Sequence, residues 1–550
     1  MKSNVFALLL ALLFVGTAQA ERVIVIMKDE QSFQAVHQAY KLKGSYSLNG
    51  FKAGGLKNGL NAVNGKVEDS LKNLKTIVVD VKSDEDIAKL QSSPAVAYVE
   101  KEIFYAVPRP VKGALSAAVQ SSEKTGKGTP WGIHAVKAPQ AWSVFNQGEG
   151  ARVLVLDTGI DENHPALKDN FEKGMNFNAG SPASDYKDEN GHGTHVAGTV
   201  AATMGEDGFV GVAPKAKILA GRVCSNDGCS SIGIIQGINW GVEEKVDVIS
   251  MSLGGAWPSA AQRDAVAKAD RAGVTVVAAS GNDGTNRVSY PAAYPGAIAV
   301  GAIDIDLNKA EFSQYGKELA IVAPGVAVVS SVPQGTGREA TATFHANGED
   351  LAVNANSFVG GKELLKAETN VLVPAGLGKV EDFKNVDVKG FFALIQRGEI
   401  NFSEKVKNAI NAGAAGVVIY NNAPGLIQGA LTDDGSTLPV GVFMIEQTVG
   451  MKALELIAQN KEVAMTLQTK ATDYSAFDGT SMATPHVSGV VALMKAANKH
   501  LTGAEVKAIL TRTATRLNGP NNNNELGAGL VNAEEAVKAA LDAKQLELPF

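Results

Sequence analysis

Four short apolar runs, separated by segments of helical character, dominate the middle of the 550-residue sequence. These runs are Val153–Leu156, Val246–Leu253, Val274–Ala279 and Ile298–Ile303. Helices are predicted after His192 and from Ser259 to Arg271. Strands that are apolar along their whole length are typical of a parallel sheet covered by helices. We therefore predict an α/β fold with a mostly parallel sheet and helices on both faces.

The rest of the chain divides by composition. Residues 1–20 carry a lysine, an apolar run and Ala18-Gln19-Ala20, the pattern of a cleaved secretory signal. The run is shorter than the roughly 20 residues of a membrane span, so an anchor is the weaker alternative. The predicted parts are a signal peptide at 1–20, a small α+β domain at 21–105, a linker or processing region at 106–128, an α/β domain at 129–339 and 473–550, and a β-rich inserted domain at 340–472.

Charge and cysteine content narrow the function classes. The formal net charge is -6, and no cluster of basic residues is interleaved with aromatic ones, so nucleic acid is not a predicted partner. The two cysteines, Cys224 and Cys229, have four residues between them, which is not the spacing of a C-x-x-C site. In an exported chain they are predicted to form a disulfide, with two free thiols as the alternative.

The first candidate catalytic residue is Asp157, in Asp157-Thr158-Gly159 directly after the strand Val153–Leu156. Open α/β sheets place their active sites at this end of the strands. The same triplet occurs in aspartic proteases, but those need two carboxylates that share a proton, and the sequence has no second triplet of this kind. A lone turn aspartate is the other alternative.

The second is His192, in Gly191-His192-Gly193-Thr194-His195 at the start of a predicted helix. Imidazole is suited to take a proton from a hydroxyl near neutral pH, so His192 is the predicted general base. The three-residue spacing to His195 also permits a metal site, although no acidic residue stands at the usual zincin spacing. A structural role is the preferred interpretation of His195.

The third is Ser481, in Gly479-Thr480-Ser481-Met482 before a long predicted helix. At a helix start the backbone N–H groups and the helix dipole face a developing negative charge, so Ser481 is the predicted nucleophile. A phosphate-binding loop would require Gly-Lys-Ser/Thr, which is absent from this segment. A simple helix cap is the remaining alternative.

The fourth is Asn282, in Ser280-Gly281-Asn282 at the end of the strand Val274–Ala279. Acyl transfer needs hydrogen-bond donors that face the tetrahedral oxygen, and the Asn282 amide and the Ser481 N–H are the predicted pair. An ordinary turn asparagine is the alternative. Four such residues, each at the boundary that its role demands, form a strong joint signal.

Together these segments resemble the subtilisin-like serine proteases, whose triad runs Asp, His, Ser along the chain. The resemblance covers residues 129 to about 335 and 474 to about 545. It implies an endopeptidase with the triad Asp157, His192 and Ser481, which requires no cofactor for its chemistry. It also implies a monomer that acts on protein or peptide substrates.

The resemblance further implies where substrate binds. Ser252, Leu253, Gly254 and Gly255 would form one wall of the primary specificity pocket, and Ala278, Ala279, Ser280 and Gly281 the opposite wall. The first wall would pair with the substrate as an added strand, which depends on main-chain hydrogen bonds and tolerates many sequences. Broad cleavage after apolar or uncharged residues is therefore expected.

Residues 21–105 look like the inhibitory propeptide of this family, which occupies the cleft until it is removed by self-processing. Within 340–472, the stretches 390–398 and 405–422 resemble a protease-associated domain. With the signal sequence, these features imply a zymogen that is secreted to the periplasm or the medium, without a stable membrane anchor.

One departure from the family pattern and two rival interpretations remain. Family members that bind calcium carry an aspartate after a His-Pro pair, whereas His164-Pro165 is followed by Ala166. Structural calcium is therefore doubtful, and Asp185, Asp188 and Glu189 are either alternative ligands or an acidic, solvated turn. The rivals to a peptidase are a non-catalytic peptide-binding scaffold and a metal-dependent hydrolase that uses His192 and His195.

Overall fold

A computed structural model describes residues 21–49, 60–106, 111–112, 128–206, 208–225, 227–427, 431–432, 436–517 and 523–546. The chain divides into two compact units, Met1–Ile103 and Phe104–Phe550. The segment that carries the predicted signal peptide, and most of the predicted processing region, lie outside the described residues.

The first unit is a small α+β domain. Its elements are β1 (Glu21–Met27), α1 (Glu30–Lys43), β2 (Tyr46–Ser47), β3 (Gly65–Leu71), β4 (Thr76–Val81), α2 (Asp84–Ser92) and β5 (Val96–Lys101). The strands form an antiparallel sheet in the order β2-β3-β4-β1-β5. Asp29 and Ser83 begin the two helices, because each side chain accepts a hydrogen bond from a backbone N–H of the first turn.

The sequence of this unit predicts strands at 23–27, 76–81 and 95–100 and helices at 31–42 and around 87–90, and the structure agrees with these bounds to within a few residues. The sequence analysis did not identify β2 and β3. In β3, Gly65-Lys66-Val67-Glu68-Asp69-Ser70-Leu71, charged residues interrupt the apolar pattern, although Val67 and Leu71 are buried in the core. A strand that is exposed on one face gives only a weak apolar signal.

The second unit is built on a central sheet of seven strands. Its elements up to residue 331 are β6 (Phe104–Tyr105), β7 (Val111–Lys112), α3 (Trp131–Ala135), α4 (Ala138–Val144), β8 (Arg152–Asp157), β9 (Phe171–Asn176), α5 (His192–Ala201), β10 (Lys217–Arg222), β11 (Cys224–Ser225), β12 (Gly228–Ser230), α6 (Ser231–Glu243), β13 (Val248–Met251), α7 (Ala260–Arg271), β14 (Thr275–Ala279), β15 (Ala297–Ile303), β16 (Leu319–Pro324) and β17 (Val328–Ser331). The sheet order is β16-β15-β14-β13-β8-β10-β9, and every pair in it is parallel. Parallel strands share one carboxyl edge, so residues that follow different strands meet there.

The inserted domain follows β17. Its elements are β18 (Gly337–Ala346), β19 (Glu349–Val353), β20 (Ala355–Ser357), β21 (Glu368–Pro374), β22 (Phe392–Gln396), α8 (Phe402–Asn411), β23 (Gly416–Tyr420), β24 (Gly441–Ile445), α9 (Gln447–Ala458) and β25 (Val463–Thr472). They form a mixed eight-stranded sheet in the order β19-β18-β25-β21-β22-β23-β24-β20. Two apolar cores, one with Phe443 and one with Val442, lie on its two faces because successive residues of β24 point to opposite sides.

After the insert the chain returns to the central sheet through β26 (Tyr474–Asp478), α10 (Thr480–Ala497), α11 (Gly503–Thr513), α12 (Asn523–Leu526) and α13 (Ala533–Leu546). Helices α5 and α10 pack together and against the sheet, and so do α6 and α7. Small residues permit this close packing: a Cβ at Gly237 of α6 would lie 2.6 Å from the Leu156 side chain, and one at Gly489 of α10 would lie 2.5 Å from Val212.

The predicted fold class is confirmed: a mostly parallel sheet with helices, a small α+β domain and a β-rich insert. The sequence analysis identified β8, β13, β14 and β15 but not β9, β10 or β16. Among the described residues, no helix combines the length and apolar character that a membrane crossing requires.

Candidate active site

Asp157 is the last residue of β8, at the carboxyl edge of the central sheet. Its side chain is buried, and Oδ1 accepts hydrogen bonds from the Thr158 N–H at 2.8 Å and from Nδ1 of His192 at 2.7 Å. A buried carboxylate is tolerated only where such bonds compensate its lost hydration. This contact holds the imidazole proton on Nδ1 and leaves Nε2 free to accept another proton.

His192 begins α5 between two glycines. Gly191 has a φ of 101°, a left-handed conformation that favours glycine. A Cβ at Gly193 would lie 2.1 Å from the Gly159 carbonyl oxygen and 3.2 Å from the Asp157 Cβ, so a larger residue would displace the helix from β8. These glycines allow the base to reach the carboxylate.

The cap position of α5 is Gly191, which has no side chain to accept hydrogen bonds from the first turn. Asp188 supports the start of the helix instead. It is buried, and Oδ1 accepts from the backbone N–H groups of Asn190 and Gly191 at 3.0 and 2.9 Å and from the Thr158 hydroxyl at 2.9 Å. Oδ2 accepts from the Thr194 N–H and hydroxyl at 2.9 and 2.6 Å. Interpreting Asp188 as a solvated turn residue is therefore wrong: it satisfies the otherwise orphaned donors that precede and begin the helix.

Ser481 lies in the first turn of α10, next to Gly479 with its φ of 149°. Its hydroxyl donates to the Ser252 carbonyl at 2.9 Å, and the Ser252 hydroxyl donates to the Ser481 carbonyl at 2.8 Å. This reciprocal pair fixes the start of α10 against the chain that follows β13. In this rotamer the Ser481 hydroxyl therefore points to the Ser252 carbonyl, and the nucleophilic role of Ser481 stays a prediction.

The Asn282 side-chain amide and the Ser481 backbone nitrogen both lie close to Gly479. The Asn282 Oδ1 accepts from the Thr480 N–H at 2.9 Å and from the Thr480 hydroxyl at 2.7 Å, which fixes the amide orientation. A Cβ built on Gly479 would lie 3.4 Å from the Asn282 Nδ2 and 3.6 Å from the Ser481 N. An oxyanion requires two such donors near one point, and the assignment of this role to Asn282 and Ser481 stays a prediction.

His195, the partner in the metal-site alternative, is fully buried one turn along α5. Its Nε2 contacts the carbonyl oxygens of Val328 and Ser475 at 2.9 and 3.1 Å, and its ring stacks on Phe477 with centroids 4.3 Å apart. Burial lowers the pKa of His195 to about 3. The neutral ring packs α5 against its neighbours, which agrees with a structural role.

The predicted substrate segments, 252–255 and 278–281, leave adjacent strands at the edge that carries Asp157. β13 pairs in parallel with β14, with Met251 opposite Ala278. Gly255 exchanges two backbone hydrogen bonds of 2.9 Å with Tyr290. That these two segments form the walls of a specificity pocket stays a prediction.

The disulfide is present between Cys224 and Cys229, so the alternative of two free thiols is wrong for this structure. The two cysteines face each other across the antiparallel pair β11 and β12. On its other side, β12 pairs antiparallel with β6, with Cys229 opposite Tyr105. A short stretch of the chain itself thus extends the hairpin that the disulfide closes.

The alternative calcium ligands are engaged in other contacts. Arg222 pairs with Asp185 at 3.5 Å and with Glu189 at 3.0 Å, and Asp188 accepts five hydrogen bonds as described above. Within the described ranges, no group of three or more histidine, cysteine, aspartate or glutamate side chains is placed to hold a metal ion.

The sequence analysis missed three supporting residues: Thr158, Asp188 and Thr480. Thr158 also accepts the Gly193 N–H at 2.9 Å, so it links the turn after β8 to α5. Thr158 and Thr480 each adjoin a predicted catalytic residue, which is the only sequence signal for them. Nothing local to Asp188 distinguishes it from Asp185 and Glu189 nearby.

Comparison with known proteins gives two family matches. The model of the subtilase family matches residues 148–357 and 444–529, and the model of the PA domain matches residues 364–452. The PA match lies within the eight-stranded inserted domain. This agrees with the two resemblances that the sequence motifs indicate.

Individual relatives agree with the family models. An alkaline protease of Alkalihalobacillus alcalophilus is 44% identical over 255 residues, which cover 46% of this chain and 61% of the relative. Subtilisin BL of Lederbergia lenta is 49% identical over 208 residues, which cover 38% of this chain and 76% of the relative. The chain therefore spans less than two thirds of the alkaline protease.

A solved structure covers more of the chain. The crystal structure of a psychrophilic subtilisin-like protease from Pseudoalteromonas sp. AS-11 is similar with a TM-score of 0.57 and 29% identity. The similarity covers 76% of this chain and 99% of that one. It therefore extends beyond the parts that the subtilase model matches.

Proposed function

The chain belongs to the subtilase family, and from that membership and the geometry of the site we propose that it is a serine endopeptidase. It hydrolyses peptide bonds of proteins with broad specificity, with Asp157, His192 and Ser481 as the triad. The observation that carries the proposal is the buried 2.7 Å contact between Asp157 and His192, at the same sheet edge as Ser481 and Asn282.

In the proposed reaction, Nε2 of His192 takes the proton of the Ser481 hydroxyl as Oγ attacks the carbonyl carbon of the scissile bond. Asp157 holds the Nδ1 proton and stabilises the imidazolium that forms. The tetrahedral oxygen accepts hydrogen bonds from the Asn282 amide and the Ser481 N–H. Collapse transfers the histidine proton to the leaving amine and gives an acyl-enzyme.

Water then hydrolyses the ester of the acyl-enzyme by the same steps. His192 takes a proton from the water, whose oxygen attacks the acyl carbon, and returns that proton to the Ser481 oxygen as the new carboxyl terminus leaves. Every role is filled by a side chain or backbone group of this chain, so the proposed reaction requires no cofactor.

The test combines labelling with turnover. The chain should react with a serine-directed fluorophosphonate, and Ser481→Ala should abolish both labelling and peptide hydrolysis. Loss of about a millionfold in kcat is the effect known for the corresponding serine of subtilisin, a member of the same family. Ser184→Ala, at an exposed serine, is the matched control. Near-normal hydrolysis by Ser481→Ala, or labelling elsewhere, would refute the assignment.

We further propose that residues 21–105 are an inhibitory propeptide, removed by self-processing within 106–128. Two contacts of the second unit support this: β6 pairs with β12, and β7 pairs antiparallel with β26, which ends three residues before Ser481. Full-length protein carrying Ser481→Ala should stay unprocessed, whereas the wild type shortens at a site found by amino-terminal sequencing. Normal processing of the variant would contradict self-cleavage.

The proposed function also includes secretion of the protein and a role for the PA domain. The amino-terminal signal pattern and the disulfide, which is typical of oxidising compartments, support secretion of a monomer to the periplasm or the medium. The PA domain is proposed to shape substrate access. The chain enters this domain after β17 and leaves it into β26, the antiparallel partner of β17 that leads to Ser481.

A further inference from the structure

The Tyr105 side chain fills a buried site in the second unit. Its exposed fraction is 4%, whereas that of the neighbouring Phe104 is 53%. The Tyr105 hydroxyl lies 3.2 Å from the Oε1 of Gln262 and 3.5 Å from the Trp257 carbonyl oxygen. A Cβ at Gly255 would lie 2.3 Å from the ring, so the site has room for an aromatic side chain only because residue 255 is glycine.

Gln262, which contacts the Tyr105 hydroxyl, is a polar residue in a buried position. It lies in the first turn of α7 and is fully buried, between apolar positions of the helix such as Ala261 and Ala265. Within the described part of the chain, its Nε2 has no hydrogen-bond partner. A buried amide without its partners costs free energy that an apolar residue would avoid. The Tyr105 hydroxyl relieves this cost at Oε1.

The backbone pairing shows how a substrate would reach the same site. Tyr105 lies opposite Cys229 in the antiparallel pair of β6 and β12. An extended peptide that adds to β12 in this register directs alternate side chains to opposite faces. One side chain then enters the site and its neighbour faces solvent, as Tyr105 and Phe104 do.

We propose that Gln262 is a specificity determinant: it selects tyrosine over phenylalanine at the substrate residue that pairs with Cys229, upstream of the scissile bond. This inference rests on the proposed peptidase function. Tyrosine places a hydroxyl against Oε1, whereas phenylalanine buries the amide with one more unmade hydrogen bond. Pockets that hydrogen-bond a substrate hydroxyl discriminate against analogues that lack it.

The experiment measures kcat/KM for fluorogenic peptides that carry tyrosine, phenylalanine or alanine, in turn, at each of the five positions before the scissile bond. One position should favour tyrosine over phenylalanine by about 3- to 10-fold, the effect of one neutral hydrogen bond. Gln262→Leu should bring this ratio to one or below. Gln459→Leu, at an exposed glutamine of the inserted domain, should keep the ratio.

A second measurement does not depend on variants. With the wild type, O-methyltyrosine at the selective position should be cleaved no better than phenylalanine, because the methyl ether has no proton to donate to Oε1. Cleavage of the ether as fast as tyrosine would overturn the proposal, as would a tyrosine ratio that survives Gln262→Leu.

Failure of this inference is distinguishable from failure of the proposed function. An enzyme that is labelled by fluorophosphonate and cleaves peptides with equal rates for tyrosine and phenylalanine at all five positions retains its proposed function and refutes the role of Gln262. A chain that is neither labelled nor active refutes the peptidase function itself.

Discussion

Asp188→Asn provides the sharpest test of how the general base is positioned. The five hydrogen bonds that Asp188 accepts come from the turn before α5, from the first turn of α5 and from Thr158. Replacing one carboxylate oxygen by an amide nitrogen turns at least one backbone N–H contact into a donor–donor clash, because a hydroxyl partner can rotate to accept but a backbone N–H cannot. The side-chain volume hardly changes, so the effect isolates charge and hydrogen bonding.

The magnitude follows from the contacts. Hydrogen bonds to charged groups contribute roughly 1.5–3 kcal/mol each, so five would sum to about 7.5–15 kcal/mol, as much as the roughly 5–15 kcal/mol that stabilises a typical domain. The helix start must therefore relax and admit water when Asp188 is changed. Removing one partner from a buried charged network costs about 3–5 kcal/mol. We expect Asp188→Asn to lower the free energy of unfolding by this amount.

The assay compares Asp188→Asn with Asp185→Asn in the inactive Ser481→Ala background, which removes self-digestion. Asp185 lies on the same loop, and its side chain is half exposed in a 3.5 Å ion pair with Arg222, so its loss should cost under about 1 kcal/mol. Guanidinium unfolding gives both values. A difference between the two variants below about 0.5 kcal/mol would refute the role given to Asp188. In the active chain, Asp188→Asn should lower kcat at least about tenfold with little change in KM, because the base is misplaced.

Two further predictions test the donors and the buried histidines. Asn282→Ala should lower kcat by about a hundred- to thousandfold with KM nearly constant, the range known for the corresponding donor of subtilisin, and a loss below tenfold would contradict its role. Burial lowers the pKa of His195 to about 3 and that of His486 to about 4, so both stay neutral in the folded chain and gain protons on unfolding below pH 6.5. As the pH drops from 6.5 to 5, these two rings together should lower the unfolding free energy of the Ser481→Ala chain by up to about 2.7 kcal/mol per pH unit, and His486→Gln should reduce the observed slope by about 1.4 kcal/mol per pH unit. A constant free energy of unfolding across this window would exclude the two rings as its source.

The sequence predicts the buried framework well because burial leaves a clear pattern. β14 and β15 are buried at every residue and were identified with bounds within one residue. β9 has only one buried residue, Asn176, and carries Glu172 and Lys173, so its residues resemble a surface loop. It pairs with β10 through its backbone, a contact that side-chain patterns do not record.

At the candidate site, too, the sequence does not predict residues whose roles depend on contacts with other elements. The four candidate catalytic residues could be proposed from the sequence because glycines and strand ends mark them. The roles of Asp188 and Gln262 could not, because they depend on partners up to 30 residues away for Asp188 and 157 residues away for Gln262. A polar residue surrounded by other polar residues predicts exposure, and only the fold shows that Asp188 is buried.

The side chains of the site are positioned by contacts between elements rather than by the rigidity of any one element. Asn282 follows β14, yet its orientation is set by Thr480 at the start of α10. Ser481 begins α10, yet its backbone is held by Ser252 after β13. Each group that is proposed to take part in the chemistry is therefore held by a neighbour from a different strand or helix. A shift of α10 would move the proposed nucleophile Ser481 with its N–H and would remove the contact that orients the Asn282 amide, whereas His192 and Asp157 would stay with α5 and β8. Substitutions that loosen α10 should for this reason reduce turnover before they reduce the pairing of Asp157 with His192.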